Sequence, residues 1–239
     1  MSLSIENSIQ NFKQRFEISD NCMFIVGVSG GLDSMVLLHA IKNLNDKIIV
    51  AHVNYKLRAE DSMNDASLVE KTAISYQLPF EKLEYDLQAD LNKNGGNLQK
   101  KARDIRYKFF SSIMDKYEDA KLILAHHQGD QIENFWMQMA RGGGIRAMSG
   151  MKEVNNNAIR PFLSASKAEL YAYAAKHHIE WREDTSNKNN TYTRNIWRNI
   201  LIPELKTTIP HINESATKLQ EVFRIQVEAD ERFVESKIN

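Results

Sequence analysis

The chain has one cysteine, Cys22, in 239 residues. A single thiol makes no internal disulfide, no Cys-x-x-Cys pair and no zinc cage, and it leaves a reducing, cytoplasmic setting as the default expectation. Long apolar runs are also missing. The run around Met23–Val28 is far shorter than the roughly 20 residues that cross a bilayer, and no basic segment leading into a long apolar one opens the chain. No signal peptide and no membrane partner are therefore expected. Net charge is absent too: 31 Lys and Arg balance 31 Asp and Glu. That excludes a uniformly basic nucleic-acid binder but not a segregated one. Residues 60–90 hold two basic and eight acidic side chains, a balance of −6; residues 141–210 hold eleven and six, a balance of +5. There is no internal repeat and no low-complexity tract.

What is present is an ordinary globular composition, 42% apolar and 26% charged, arranged as alternating strands and helices. Ser4–Phe16 reads as a helix with Ile5, Ile9, Phe12 and Phe16 on one face. Cys22–Val28 and Lys47–Val53 are continuous β-favouring runs, as in strands buried on both faces, and Phe80–Tyr85 and Lys121–Ala125 are shorter strands. Helical segments are Ser34–Asn43, Ser62–Tyr76, Asn97–Tyr117, Asp130–Met139, Ser166–His178, Thr193–Leu201 and His211–Lys237, with a loop at Asn92–Gly96. The alternation predicts an α/β fold, a parallel sheet with helices on both faces, followed by a small helical region. A boundary is placed near residue 210, giving a catalytic domain over 1–210 and a C-terminal helix over 211–239, with a softer one before Ser166. In such sheets ligands bind beyond the carboxyl ends of the strands. The polar clusters Ser29–Ser34, His52–Arg58 and His126–Asp130 lie at such ends and are expected to converge.

The segment Val26-Gly27-Val28-Ser29-Gly30-Gly31-Leu32-Asp33-Ser34 leaves a strand and opens a helix. Backbone amides at a helix N-terminus attract anions, glycines let a phosphate approach, and Ser29 and Ser34 add hydroxyls. Asp33 is out of place beside phosphates unless it holds a metal ion. No Gly-Lys-Ser/Thr follows, so this is not a Walker loop. Asp130 and Glu133, at i and i+3, share a helical face. Taken alone they would be dipole compensation; with His126 they form a cluster able to hold a cation and a proton acceptor. Gln99, Arg103, Arg106 and Phe110 make a second stripe on their helix. Arg194 and Arg198, at i and i+4, suit phosphate or carboxylate contact. The triple glycine between Arg141 and Arg146 opens the basic stretch as a conformationally free loop whose arginines can meet RNA phosphates. His177-His178 and Cys22 read as structural.

Ser29-Gly30-Gly31-Leu32-Asp33-Ser34 resembles the SGGxDS signature of the PP-loop ATP pyrophosphatases, which cleave ATP between its α- and β-phosphates. The remaining blocks resemble one branch, the tRNA(Ile)-lysidine synthetases. They are His52–Arg58, Asn97–Gln99 with Ala102-Arg103 and Arg106-Tyr107, His126–Asn134, Arg141–Arg146 with Gly150-Met151, Arg160–Leu163, Glu183–Asn187 and Tyr192–Arg198. Three positions depart from that pattern: Tyr55 stands for a second His, Gly129 for the first of two Asp, and Asn134 for a Thr.

The resemblance implies two steps. ATP adenylates the C2 oxygen of the wobble cytidine in a CAU anticodon, and free lysine then attacks C2 while AMP leaves. It implies ATP contacts from Ser29, Gly30, Gly31, Leu32, Asp33, Ser34 and His52, and magnesium on Asp33 and Asp130. Lysine would meet Arg106, His126, Asp130, Glu133 and Arg198, with catalysis at Asp33, Arg106 and Asp130. tRNA would meet Arg141, Arg146 and Arg194. Position 129 is expected to point away from the carboxylate pair. The expected partners are tRNA(Ile), ATP and free lysine, with a homodimer left open. Three alternatives stand beside this reading: a tRNA 2-thiolase-like enzyme, against which the lone Cys22 argues; a small-molecule amidating synthetase, against which the basic region argues; and a non-catalytic nucleotide-binding module, against which the carboxylates argue.

Overall fold

The computed structural model describes residues 5–15, 18–42, 44, 47–57, 59–183 and 193–238. Arg58, the 184–187 part of the Glu183–Asn187 block, Tyr192 and Phe16 lie outside the described residues, as does the side chain of Phe12. The chain packs as two units: residues 1–126 with 153–183, and residues 127–152 with 184–239.

The first unit holds a six-stranded sheet in the order β3-β2-β1-β4-β6-β5. Strands β1 (Met23–Gly27), β2 (Ile48–Asn54), β3 (Phe80–Glu84), β4 (Ala120–Ile123) and β6 (Ala158–Ile159) run parallel, and the two-residue β5 (Val154–Asn155) is antiparallel to β6. The chain order runs outward from β1 to β3 and then resumes on the other side of β1 at β4. The carboxyl ends of β1 and β4 therefore flank the switch point where such sheets bind ligands.

Alternate residues of each strand go to opposite faces, and both faces are covered. Phe24, Val26, Ile48 and Val50 pack with Ile5 and Ile9 of α1 (Ile5–Arg15), the buried length of α2 (Leu32–Ile41), Val69 and Ala73 of α3 (Ala59–Ser75), and Leu170, Tyr173 and Ala174 of α8 (Lys167–Lys176). Ile25, Ile49, Ala51 and Leu122 pack with Phe110 and Ile113 of α5 (Leu98–Met114) on the other face. Burial on both faces is why these strands read as unbroken apolar runs. α2 buries eight named residues, Leu32, Ser34, Met35, Val36, Leu37, Leu38, Ala40 and Ile41, which anchors the loop that precedes it.

Two elements differ from the sequence reading. Leu87–Asn94 is a helix, α4, where a loop is expected from Asn92. Asp86 caps it by accepting from the Ala89 amide at 2.8 Å, Leu87 is buried, and Gly95 at φ 62 ends it. One buried residue in eight leaves no periodicity to read. The β5–β6 hairpin is likewise too short for an alternation signal, and it turns at Asn156, φ 51.

The second unit is helical: α6 (Gln128–Ala140), α7 (Ile145–Met148), α9 (Thr193–Ile196), a π-helical turn (Trp197–Leu201), α10 (Ile202–Thr208) and α11 (Ile212–Ile238). Its core joins Ile132, Phe135, Trp136, Ile202 and Ala216, and Trp136 stacks on Trp197 with ring planes 10° apart. Among the described residues no helix is long and apolar enough to cross a membrane.

Candidate functional site

The loop between β1 and α2 is folded on its own hydroxyls. The Ser29 amide donates to Ser34 Oγ at 3.1 Å, and the Gly31 amide points at Ser29 Oγ, 3.4 Å away. Ser34 Oγ donates to the Gly31 carbonyl at 2.9 Å. Gly30 has φ +92, a conformation that side-chain-bearing residues rarely adopt. Gly31 is the N-cap of α2 and caps it with no side chain, so the positive end of the helix faces the loop. Ser29, Gly30, Gly31, Leu32, Asp33 and Ser34 are thus brought together as a cradle of amides and hydroxyls.

Asp33 sits in the first turn of α2 and pairs with Lys167 Nζ at 2.5 Å. Lys167 opens α8, whose Ser166 N-cap accepts from the Glu169 amide at 3.2 Å in a capping box. None of the family blocks contains this lysine; its one signal in the sequence is the Ser166-x-x-Glu169 cap, which marks Lys167 as a helix-start residue.

His52 is buried beneath the same loop. Its Nδ1 contacts the Val28 carbonyl at 2.8 Å, and because a carbonyl only accepts, Nδ1 carries the proton. Nε2 is then a buried acceptor with no hydrogen-bond partner among the described residues. Burial pushes the imidazole below the usual histidine range. Two of the three polar clusters at strand ends, Ser29–Ser34 and His52, therefore do converge.

Tyr55, the residue in place of a second histidine, ties two elements together. Its hydroxyl donates to the Ala102 carbonyl of α5 at 2.7 Å, joining the end of β2 to the helix that carries Arg106. Burial raises the Tyr55 hydroxyl above its ordinary pKa, with the nearby Arg106 charge acting the other way. The Arg106 guanidinium lies 6.0 Å from the Tyr107 ring centre. His126 follows β4 and is partly buried.

In the second unit, four charged side chains form one network. Arg194 donates through Nε to Glu133 at 2.7 Å and through Nη2 to Asp130 at 2.6 Å. Arg198 donates through Nε to Glu133 Oε1 and through Nη2 to Glu133 Oε2 at 2.9 Å. Its Nη2 also lies 3.4 Å from Asp130 Oδ1. Glu133 is buried, with 6% of its side chain exposed, whereas the arginines keep 40% and 34%. The i,i+3 carboxylates thus meet the i,i+4 arginines. Arg194, expected on tRNA, is placed on the carboxylates. Asp130 also serves the helix it sits on. Its Oδ2 accepts from the His127 amide at 2.9 Å, one half of a capping box at the start of α6. The other half is His127 itself, whose Nδ1 accepts from the Gly129 amide at 2.9 Å.

Arg141 closes α6 and is exposed. Arg146, also exposed, reaches Glu231 of α11, which Lys152 joins at 3.0 Å. Both lie at the glycine-rich turn whose Gly142 has φ +70.

A family model described as the PP-loop domain matches residues 1–205. The tRNA(Ile)-lysidine synthase of Bacillus subtilis is 35% identical over 237 residues, covering 96% of this chain and 49% of the relative. The bifunctional protein TilS/HprT of Listeria monocytogenes is 39% identical over 196 residues, covering 79% of this chain and 30% of the relative. The chain spans about half the length, or less, of these curated relatives. Among solved structures, the U34-tRNA thiolase NcsA of Methanococcus maripaludis, determined with its iron–sulfur cluster, aligns with a TM-score of 0.74 over 92% of this chain and 77% of that one. At 14% identity that likeness speaks for the fold alone. The family match runs through both the loop cradle and the arginine–carboxylate network, and the chain belongs to the PP-loop family.

Proposed function

We propose that this chain is the PP-loop catalytic region of a tRNA(Ile)-lysidine synthetase. It would use ATP to adenylate the wobble cytidine of a CAU anticodon and join free lysine to C2, releasing AMP and pyrophosphate. One observation carries the reading beyond ATP use: a carboxylate pair, Asp130 and Glu133, already holding cationic nitrogen from Arg194 and Arg198. A site that stabilises guanidinium groups on two buried carboxylates suits the ammonium of an amino-acid substrate, and the arginines suit its carboxylate. His126 and Arg106 are assigned to lysine on the sequence resemblance alone.

ATP is assigned to the first unit. The amide of Ser29, now on Ser34 Oγ, and that of Gly31, facing Ser29 Oγ, are donors that phosphate oxygens can take over, and the two hydroxyls then turn to donate as well. His52, beneath the loop with Nδ1 on the Val28 carbonyl, completes the proposed ATP set.

The sequence reading assigns magnesium to Asp33 and Asp130. Asp33 offers one carboxylate in the first turn of α2, paired here with Lys167, and magnesium normally takes one or two carboxylates with substrate phosphates rather than an all-protein cage. Among the described residues no group of three His, Cys, Asp or Glu could form such a cage. Asp33 therefore fits an ion that arrives with the triphosphate, where its charge would offset that of the phosphates. Asp130 has both oxygens engaged, by the His127 amide and by Arg194. Attack at an adenylated C2 needs the amine neutral, and Glu133 is the proposed acceptor of its proton once the lysine ammonium has displaced the arginines that hold both its oxygens.

A thiolase reading is disfavoured by Cys22. It is fully buried, and burial pushes its thiol up to about 11, so it stays protonated and unreactive near neutral pH. The deciding experiment is ATP–pyrophosphate exchange with and without a tRNA(Ile) transcript, followed by incorporation of labelled lysine. Exchange that depends on the CAU anticodon, and label in the tRNA, are expected. Exchange without any lysine transfer, or sulfur transfer instead, overturns the reading.

A further inference from the structure

Arg182 lies outside every role assigned so far, yet both its backbone and its side chain are tied to the surroundings of the phosphate loop. Its amide donates to the Gly30 carbonyl at 3.0 Å. Its Nε donates to Asp65 Oδ1 at 2.8 Å and its Nη2 to Asp61 Oδ1 at 3.1 Å. Asp61 and Asp65 are one turn apart on α3. α3 also backs directly onto the loop: a side chain at Gly30 would come within 3.4 Å of the Asp65 carbonyl.

We propose that Arg182 is a positioning residue for the phosphate loop: its side chain is latched to α3 by Asp61 and Asp65, and its amide sets the direction of the Gly30–Gly31 peptide. The proposal deepens the ATP reading and rests on it for its purpose. The physical link is peptide planarity. The Gly30 carbonyl and the Gly31 amide belong to one trans peptide, so they point in opposite directions. Holding the carbonyl outward on Arg182 turns the Gly31 N–H inward, toward Ser29 Oγ. Glycine at positive φ beside glycine is the sequence most free to flip that peptide, and a flip would present a carbonyl oxygen to the phosphates instead of a donor. An internal restraint is therefore needed, and Arg182 supplies it from a segment that is fixed at both aspartates.

The test uses Arg182→Ala, which removes the latch and keeps the amide, with Asp61→Asn/Asp65→Asn as a second route should the first variant not fold. Two readouts are taken on the full chain. Amide hydrogen exchange in the ligand-free protein should be about tenfold faster at Gly31 in either variant, with the sheet amides unchanged. Affinity for MgATP should fall about tenfold, while affinity for adenosine, which lacks phosphates, stays the same. Arg182→Lys, able to hold one of the two aspartates, should recover part of both effects. Unchanged exchange at Gly31, or equal losses for MgATP and adenosine, overturns the latch. If the unsubstituted protein binds no MgATP while Gly31 exchange responds as expected, the latch stands and the ATP reading falls.

Discussion

The loop of the first unit and the charged network of the second are built on opposite principles. The loop, Ser29–Ser34, is almost all backbone: short side chains, a helix end and a glycine at φ +92. The hydrogen bonds to its serine hydroxyls and within its own backbone turn run between residues at most five apart, while the Gly30 carbonyl and the Asp33 carboxylate reach Arg182 and Lys167 far along the chain. The network uses long charged side chains from α6, α9 and the π-helical turn, joined over 61 to 68 residues of chain. A backbone cradle recognises what every nucleotide has, its phosphates. A network of carboxylates and arginines recognises one pattern of charge, and substitutions there should change which substrate is used rather than whether ATP is used. The two can be separated by mutation, and that separation is the strongest test of their proposed roles.

The largest expected effect is at the loop. Asp33→Asn should leave the fold intact and abolish AMP formation, because α2 is held by its buried apolar residues and not by this carboxylate. Circular dichroism and pyrophosphate exchange check the two halves of that statement. Undiminished turnover would remove Asp33 from the metal assignment and return it to a surface pair with Lys167.

Next is Glu133→Gln. Losing one charge-assisted hydrogen bond costs about 1.5–3 kcal/mol, or roughly 10- to 100-fold, and this should appear in the Michaelis constant for lysine and not in that for ATP. The variant should also be less stable, since Glu133 is buried against two arginines. Removing a partner from a fully buried pair costs about 3–5 kcal/mol, and the loss here should be smaller because the arginines stay partly in water. Parallel rises for lysine and ATP would make the network a structural one.

A smaller effect is expected at the glycine-rich turn. Arg141→Ala with Arg146→Ala should weaken tRNA binding and reduce its salt slope by about one for each phosphate no longer neutralised. Arg146 already pairs with Glu231, so Arg141 should account for more of the change. Equal binding at every salt concentration would assign that turn to packing against α11.

How much of this is legible in the sequence follows from the same contrast. The parallel sheet is legible because burial on both faces leaves unbroken apolar strands, and the loop because the bonds among its amides and serine hydroxyls close within six consecutive residues. That Asp130 and Glu133 share a face is legible from helix geometry. That Arg194 turns to them and not to solvent is not, since nothing in residues 193–198 records what lies opposite. Lys167 and Arg182 escape a sequence reading for the same reason: each acts across more than a hundred residues of chain, on Asp33 and on Asp61 and Asp65. α4 and the β5–β6 hairpin escape it because they are too short to carry a pattern.

The smallest effect, and the most local, concerns Gly129, where the family pattern has an aspartate. A Cβ built at Gly129 would lie 2.6 Å from His127 Cε1 and 3.0 Å from its Nδ1. The obstacle is the imidazole that caps α6 by accepting from the Gly129 amide. Position 129 thus points at the cap and not at the carboxylate pair. Gly129→Asp should therefore leave lysine recognition nearly intact and cost stability instead, because His127 must swing out and surrender its cap. Losing an N-cap costs about 1 kcal/mol, and part of this should be recovered as the new carboxylate takes over the helix end. Gly129→Ala makes the same collision with nothing to replace the cap, so it should be the less stable of the two. His127→Asn, which caps without a ring, should relieve the conflict, so that Gly129→Asp costs less in that background than alone. Thermal unfolding of the four proteins and the double variant measures that coupling directly. Additive losses would mean that the His127 ring does not fill the space above residue 129. A large rise in the Michaelis constant for lysine with Gly129→Asp would place the residue in the substrate site after all.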